Sequence, residues 1–140
     1  MKIGNAGGFW GDDLDAPYLL AQAVPDLDYL TLDYLAELSL SIMEAQRHKN
    51  PDLGYAADFL EVIDSLVPLW DAGAPFKIVT NAGGLNPEGL KREIEKRVKH
   101  KSVLIVTGDN VLEKLKQDPN NATFKHLERK RAAGPFDCSP

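Results

Sequence analysis

The chain has 140 residues, of which 44% are hydrophobic and 26% are charged, so it can form one globular domain with a substantial core. A net charge of −5 gives no overall basic surface, so we expect no nucleic-acid partner. The single cysteine, Cys138, excludes an internal disulfide, and no apolar run approaches the roughly 20 residues that cross a bilayer. Gly4 and Asn5 come almost at once after the first residue, so we expect no secretory signal. We therefore expect a cytoplasmic protein with no membrane partner.

Short apolar runs alternate with helical patterns along the chain. Strands are predicted at 2–5, 28–32, 76–80 and 102–107, and helices at 16–23, 33–48, 55–71, 87–100 and 110–116. This alternation predicts a three-layer α/β fold with a parallel sheet of about four strands, Rossmann-like or flavodoxin-like, within a larger α/β domain. Four such units are also typical of half an α/β barrel. The third strand is apolar and β-branched, as buried parallel strands usually are.

Each predicted strand ends in glycine, asparagine or aspartate. Parallel α/β sheets bind ligands outside the carboxyl ends of their strands, so we expect these ends to form one binding edge. The candidate ligand-binding residues are Asn5, Gly7, Gly8, Phe9, Trp10, Asp12, Asn81, Gly83, Gly84 and Asn86.

The first loop is rich in glycine, which lets backbone N–H groups approach a bound anion closely. Its spacing is not that of a dinucleotide-binding loop, and no Gly-Lys-Ser/Thr follows. The loop is therefore either a phosphate cradle or a tight turn that places Phe9 and Trp10 over the sheet. In either case these aromatic residues could cover the apolar part of a ligand.

The loop at 81–87 is the sharpest local signal. A buried strand ends at Asn81, bends at Gly83 and Gly84, and enters a helix that Asn86 caps, with Pro87 in its first turn. Backbone N–H groups at such a helix start can bind an anion. The alternative is a purely conformational turn.

Acidic residues near the same edge are the candidates for chemistry. Asp33, Glu37 and Asp109 could transfer protons, and Asp33 and Asp109 could hold magnesium. Asp33 and Glu37 lie one turn apart in the predicted helix, although capping is an alternative role for Asp33. No zinc-ligand spacing or serine nucleophile motif is present, so the sequence assigns no metal and leaves the cofactor unknown.

The end of the chain differs from the rest. We predict an α/β domain over residues 1–119 and an irregular basic tail over 120–140. The tail has no hydrophobic periodicity, and a four-stranded sheet ending here would leave an open edge. We expect a truncated or divergent sequence in this region, with the basic residues on a solvated helix end rather than a nucleic-acid surface.

Several stretches, in order, resemble the N-terminal domain of the acyclic terpene utilisation (AtuA-like) family. They lie at 3–6, 8–12, 28–38, 54–56 together with 58–59, and 79–87, and 108–109 follows at a suitable distance. The resemblance implies a role in the breakdown of acyclic terpenes such as citronellol and geraniol, a route that passes through acyl-CoA thioesters. Family members are several times longer, and from about Asn120 we expect the family pattern to be lost.

The predicted binding edge and the family resemblance together suggest two functions. The first is a catabolic domain that binds an anionic organic acid or acyl-CoA thioester at the carboxyl edge of the sheet. The second is a non-catalytic assembly or regulatory subunit of a larger assembly, or an inactive truncated fragment. The small-molecule partner would be an acyl-CoA in the first case.

Overall fold

The computed structural model describes residues 1–117, with Leu115 described by its backbone alone. The chain divides into two compact units, Met1–Ile105 and Val106–Pro140, and residues 106–117 are the described part of the second. The predicted tail at 120–140 lies outside the described residues. The second unit contributes one described helix, α5 (Leu112–Gln117).

The first unit is an α/β fold with a parallel sheet, as predicted. Its elements in chain order are β1 (Ile3–Asn5), α1 (Ala16–Ala23), β2 (Tyr29–Leu32), α2 (Glu37–Lys49), α3 (Phe59–Asp71), β3 (Lys77–Thr80) and α4 (Pro87–Glu95). The strands lie in the order β1-β2-β3, and both neighbouring pairs are parallel. All three strands therefore end at the same edge of the sheet.

The register divides the strand side chains between two faces, because successive side chains in a strand point to opposite sides. Residues Gly4, Leu30, Leu32, Ile78 and Thr80 make the covered face. Residues Ile3, Asn5, Tyr29, Thr31, Lys77 and Val79 make the open face.

Helices pack over the covered face. Leu30 and Leu32 are buried there, and the Leu20 side chain of α1 lies against Gly4 so closely that an added Cβ would meet it at 2.8 Å. Helix α1 packs on α3, and α3 packs on α4. Phe59 of α3 is 1% exposed, and burying a side chain of this size stabilises a fold by roughly 1.5–3 kcal/mol. The core thus lies between the sheet and these helices.

The open face is much less buried. Ile3 is 58% exposed and Val79 is 56% exposed, while Tyr29 and Thr31 are half-buried. The Lys77 ammonium lies 5.6 Å from the centre of the Tyr29 ring, which is a cation–π contact between β3 and β2 on this face. The prediction that β3 is buried as a whole is wrong, because only its covered side packs against helices.

The sheet has three strands where about four are predicted. Residues 102–111 form no helix or strand, and Leu104 and Val106 are 88% and 96% exposed. Val103 packs against the core. Strand propensity alone does not make a strand, because the backbone groups must also find a hydrogen-bonding partner.

The predicted start of α2 at Asp33 is wrong, since the helix begins at Glu37. The Asp33 carboxylate accepts from the Leu35 backbone N–H, which holds a turn instead of a helix. Ala36 is extended, and its N–H donates to the Ser39 hydroxyl at 2.6 Å. Ser39 therefore helps to define the helix start.

The predicted start of α3 at Tyr55 is also wrong, since the helix begins at Phe59. The Ala56 N–H donates to the Ala82 carbonyl, which holds this segment beside the end of β3. Helix α1 has the predicted bounds, whereas α4 ends at Glu95 instead of continuing to 100. Among residues 1–117, no helix is both long and apolar enough to cross a membrane.

Candidate functional site

An open depression of about 340 Å³ lies at the carboxyl edge of the sheet. All three strands, and the residues that follow β2 and β3, contribute to it. The lining residues are Asn5, Thr31, Leu32, Asp33, Val79, Thr80 and Asn81. Three of the predicted site residues, Asn5, Asp33 and Asn81, are therefore brought together although they lie far apart in sequence.

Asn81 organises the centre of this depression. Its Nδ2 donates to Asp33 Oδ1 at 2.7 Å, and its Oδ1 accepts from the Tyr34 backbone N–H at 2.7 Å. A carboxamide can make both contacts because it carries a donor and an acceptor. The segment after β2 is thereby tied to the end of β3, and one oxygen of the Asp33 carboxylate is fixed in place.

Asn5 is held from the neighbouring strand. The Thr31 hydroxyl lies 3.0 Å from Asn5 Oδ1 and 3.2 Å from the Gly4 carbonyl, and it can donate to either oxygen. Among the described residues, the Asn5 Nδ2 group makes no hydrogen bond. It is therefore available to donate to a ligand at the edge of the sheet.

The first glycine loop is closed by one of the chain's own carboxylates. Asp12 Oδ2 accepts from the Gly8 N–H at 3.0 Å, and Asp12 Oδ1 accepts from the Asp13 N–H at 2.8 Å. These two hydrogen bonds hold the pKa of Asp12 below its usual value. The Gly7 carbonyl accepts from the Asp33 N–H, so the loop also positions the segment after β2. In this arrangement Asp12 takes the place that the sequence interpretation gives to an external anion.

The two aromatic residues of this loop differ in their surroundings. The Trp10 indole N–H donates to Asp58 Oδ1 at 2.9 Å, and its ring packs against the core. Phe9 is 58% exposed. Neither residue lines the depression.

Burial, together with the nearby carboxylates of Asp58 and Asp12, raises the pKa of the Tyr34 phenol to about 12.

The loop at 81–87 is held by internal contacts. Asn86 caps α4 as predicted, because its Oδ1 accepts from the Gly89 N–H at 2.9 Å. Gly84 has a φ of +50°, and an added Cβ would lie 2.3 Å from the Met43 sulfur and 3.0 Å from the Gly54 carbonyl. At Gly83 an added Cβ would meet Pro87 at 2.9 Å. These contacts require small residues at the turn whether or not a ligand binds.

The other predicted chemical residues lie apart from this group. Glu37 is exposed at the start of α2 and does not line the depression. Asp109 belongs to the second unit, so its relation to Asp33 is not defined by the fold of the first unit. Over residues 1–117, no group of three or more His, Cys, Asp or Glu side chains is arranged to hold a metal ion.

Four lining residues were not among the sequence candidates: Thr31, Leu32, Val79 and Thr80. Each lies at the carboxyl end of β2 or β3, so the strand-end rule could have found them. Their polar contribution is modest, since Thr80 Oγ1 already accepts from the Ala82 N–H.

The chemistry of the depression combines one carboxylate with one free carboxamide donor. Asp33 is its single ionisable lining residue. The second oxygen of Asp33 makes no hydrogen bond within the described part of the chain. The depression can therefore donate to a carbonyl through Asn5 and accept a proton at Asp33.

Comparison with known protein families gives one informative match. The model of the family described as "Acyclic terpene utilisation family protein AtuA" matches residues 1–137. Searches of curated proteins and of solved structures give no significant match. From the sequence we expect the family pattern to be lost from about Asn120, but the match extends past this residue. The division into a domain over 1–119 and a tail over 120–140 stays a prediction. The chain belongs to the acyclic terpene utilisation (AtuA) family, and its functional context is the utilisation of acyclic terpenes.

Proposed function

We propose that this chain binds the carbonyl end of an organic acid or of its acyl-CoA thioester, in a cytoplasmic step of acyclic terpenoid breakdown. The supporting observation is the single depression that collects Asn5, Asp33 and Asn81 from the ends of all three strands. This placement agrees with the general position of ligand sites in parallel α/β sheets. The family match supplies the terpenoid context.

The charge of the depression favours the thioester over the free acid. Asp33 brings a carboxylate to the lining of the depression, and a second negative charge placed beside it would be repelled. A thioester carbonyl is neutral and can accept from the Asn5 carboxamide without this penalty. A free carboxylate placed in the same position would be repelled by Asp33.

Asp33 is the group best placed to take part in chemistry. Asn81 holds one of its oxygens at 2.7 Å, which fixes the orientation of the carboxylate. A general base must be oriented and must retain a free oxygen to accept a proton, and Asp33 satisfies both conditions. We assign Asn81 as the residue that positions Asp33.

Isothermal titration calorimetry of the chain tests this proposal with the CoA thioester of an acyclic terpenoid acid such as geranic acid, the free acid, and CoA. We expect the thioester to bind at least tenfold more tightly than the free acid. In Asp33→Asn the repulsion is removed, so binding of the free acid should strengthen at least tenfold. Glu37→Gln is the matched control, because Glu37 is an exposed carboxylate that does not line the depression, and this variant should bind as the parent does.

Three results would overturn the proposal. One is a failure of the thioester and the acid to bind at all. Another is an equal change in affinity for the free acid in Asp33→Asn and Glu37→Gln. A chain that binds CoA and the thioester equally would likewise show that the acyl carbonyl is not recognised.

A second candidate function is a non-catalytic assembly subunit, which the open face of the sheet favours. Ile3 and Val79 are more than half exposed on a face that parallel α/β proteins normally cover. The ligand proposal uses the edge of the sheet and this second candidate uses its open face, and the two share Asn5, Thr31 and Val79.

A further inference from the structure

The open face is left uncovered by the topology of the sheet. The chain moves in one direction from β1 to β2 to β3, and right-handed crossovers place the connecting helices of such a series on one side. Leu20 of α1, packed against Gly4, shows that this side is the covered face. A crossover that returns to the free edge of β1 would place its helix on the opposite side. The open face is therefore where a helix of a returning unit would pack.

The size of the open face fits a helix better than a second copy of the chain. Three strands about 4.8 Å apart, with four residues rising about 3.3 Å each, give a face of about 14 by 13 Å. An α-helix is about 10 Å across and spans such a face. A stable pair of identical subunits buries about 800 Å² on each partner, which is several times the area of the face.

Lys77 is the one charged residue of the open face. Ile3, Tyr29 and Lys77 lie side by side in one row across the three strands. Lys77 forms no ion pair among the described residues, and its ammonium lies over the Tyr29 ring. An apolar helix stripe would pack on Ile3 and Tyr29, and a carboxylate beside that stripe would pair with Lys77.

We propose that the open face is the docking surface for an amphipathic helix of a partner polypeptide, which presents apolar side chains to Ile3 and a carboxylate to Lys77. The free edge of β1 offers this partner further contacts, which it needs because the face alone is too small for a stable complex. Asn5, Thr31 and Val79 of the open face also line the depression, whereas the row of Ile3, Tyr29 and Lys77 lies at the amino ends of the strands outside it. This inference can therefore fail while the ligand proposal stands, and the reverse also holds.

Photo-crosslinking in the native cells of this protein tests the inference. Ile3 is replaced by p-benzoylphenylalanine, and Leu38, which is 72% exposed on α2, is replaced in the same way as a control. We expect irradiation to link position 3 to one other polypeptide, at a peptide with helical apolar spacing and an adjacent Asp or Glu, at least fivefold more than position 38. Lys77→Glu should lower this yield at least fivefold, and replacing the partner's carboxylate with lysine should restore it.

Several outcomes would overturn the inference. Equal yields at positions 3 and 38, or no crosslink at position 3, would show that nothing specific covers this face. A crosslink within the chain, to a second copy, or to a small molecule would identify a different occupant. An undiminished crosslinking yield in Lys77→Glu would show that Lys77 does not pair with a carboxylate of the partner. Ile3 and Lys77 are exposed, so a thermal melt of each variant should match the parent within a few degrees.

Discussion

The two faces of the three-stranded sheet differ sharply in how far their side chains are buried. On the covered face, Leu30 and Leu32 are almost fully buried under helices, while Ile3 and Val79 on the open face remain more than half exposed. The same strands supply both sets by alternation. The difference teaches that the stability of this sheet comes from one face, and the other face is the one on which we propose that a partner docks.

The carboxyl edge is where these two faces meet. Asn5, Thr31 and Val79 belong to the open face, while Leu32 and Thr80 belong to the covered face, and all five line the depression. A ligand in the depression would therefore contact the stable side and the exposed side of the sheet at once. Variants on each face, and at the edge between them, therefore test the contribution of each surface separately.

The largest expected effect is on stability when the covered face loses a side chain. Leu30→Ala removes a fully buried side chain, so we expect the free energy of unfolding to fall by about 2–5 kcal/mol. Ile3→Ala, the matched truncation on the open face, should lower it by about 0.5 kcal/mol. Urea denaturation of both variants measures the difference. Equal losses would show that the open face is packed in solution, which would break the comparison.

An intermediate effect is expected at the edge. The hydrogen bond between Asn81 and Asp33 joins exposed side chains, so we expect their coupling in a double-mutant cycle to be about 0.5–1 kcal/mol. The cycle uses Asn81→Ala, Asp33→Ala and the double variant, with unfolding free energies from urea titrations. Strict additivity would mean that Asn81 does not position Asp33 in solution.

The smallest effect is a pH dependence that comes from the first loop. The Gly8 and Asp13 N–H groups lower the pKa of Asp12 in the folded state below 3.8, its value without these contacts. The stability that this gives is present above about pH 4 and is lost as the pH falls through the folded pKa. The melting temperatures of the parent and Asp12→Asn should therefore differ at pH 5 and converge toward pH 2.

Asp71→Asn provides the control for this titration, because Asp71 is exposed and makes no hydrogen bond in the described part of the chain. Its melting temperature should follow the parent at every pH. If Asp12→Asn also follows the parent from pH 5 to pH 2, the carboxylate does not close the glycine loop in solution.

Local patterns predicted much of the fold. The bounds of α1 and the Asn86 cap of α4 depend on neighbouring residues, and both are as expected. The parallel sheet follows from the alternation of strands and helices. The start of α2 could not be found in this way, because Asn81 engages Asp33 across 48 positions of sequence. Such a contact is visible only once the strands are aligned.

The site was predicted in part for a similar physical reason. The strand-end rule brought Asn5, Asp33 and Asn81 together, since carboxyl ends of parallel strands share one edge. It could not show that Asp12 binds the Gly8 amide, because a short carboxylate and a bound anion satisfy a glycine loop equally well. The strand-end rule also could not show that one face of the sheet is exposed. Ile78 and Val79 are both apolar, and only the packing of helices against the Ile78 side distinguishes them.

The central claim is that the carboxyl edge receives the thioester, and nuclear magnetic resonance of the ¹⁵N-labelled chain tests it most directly. On titration with the CoA thioester of geranic acid, we predict that the side-chain amide signals of Asn5 and Asn81 shift together. The signal of Asn50, which lies at the end of α2 outside the depression, should not move. Shifts at Asn50 without shifts at Asn5 and Asn81 would contradict the account.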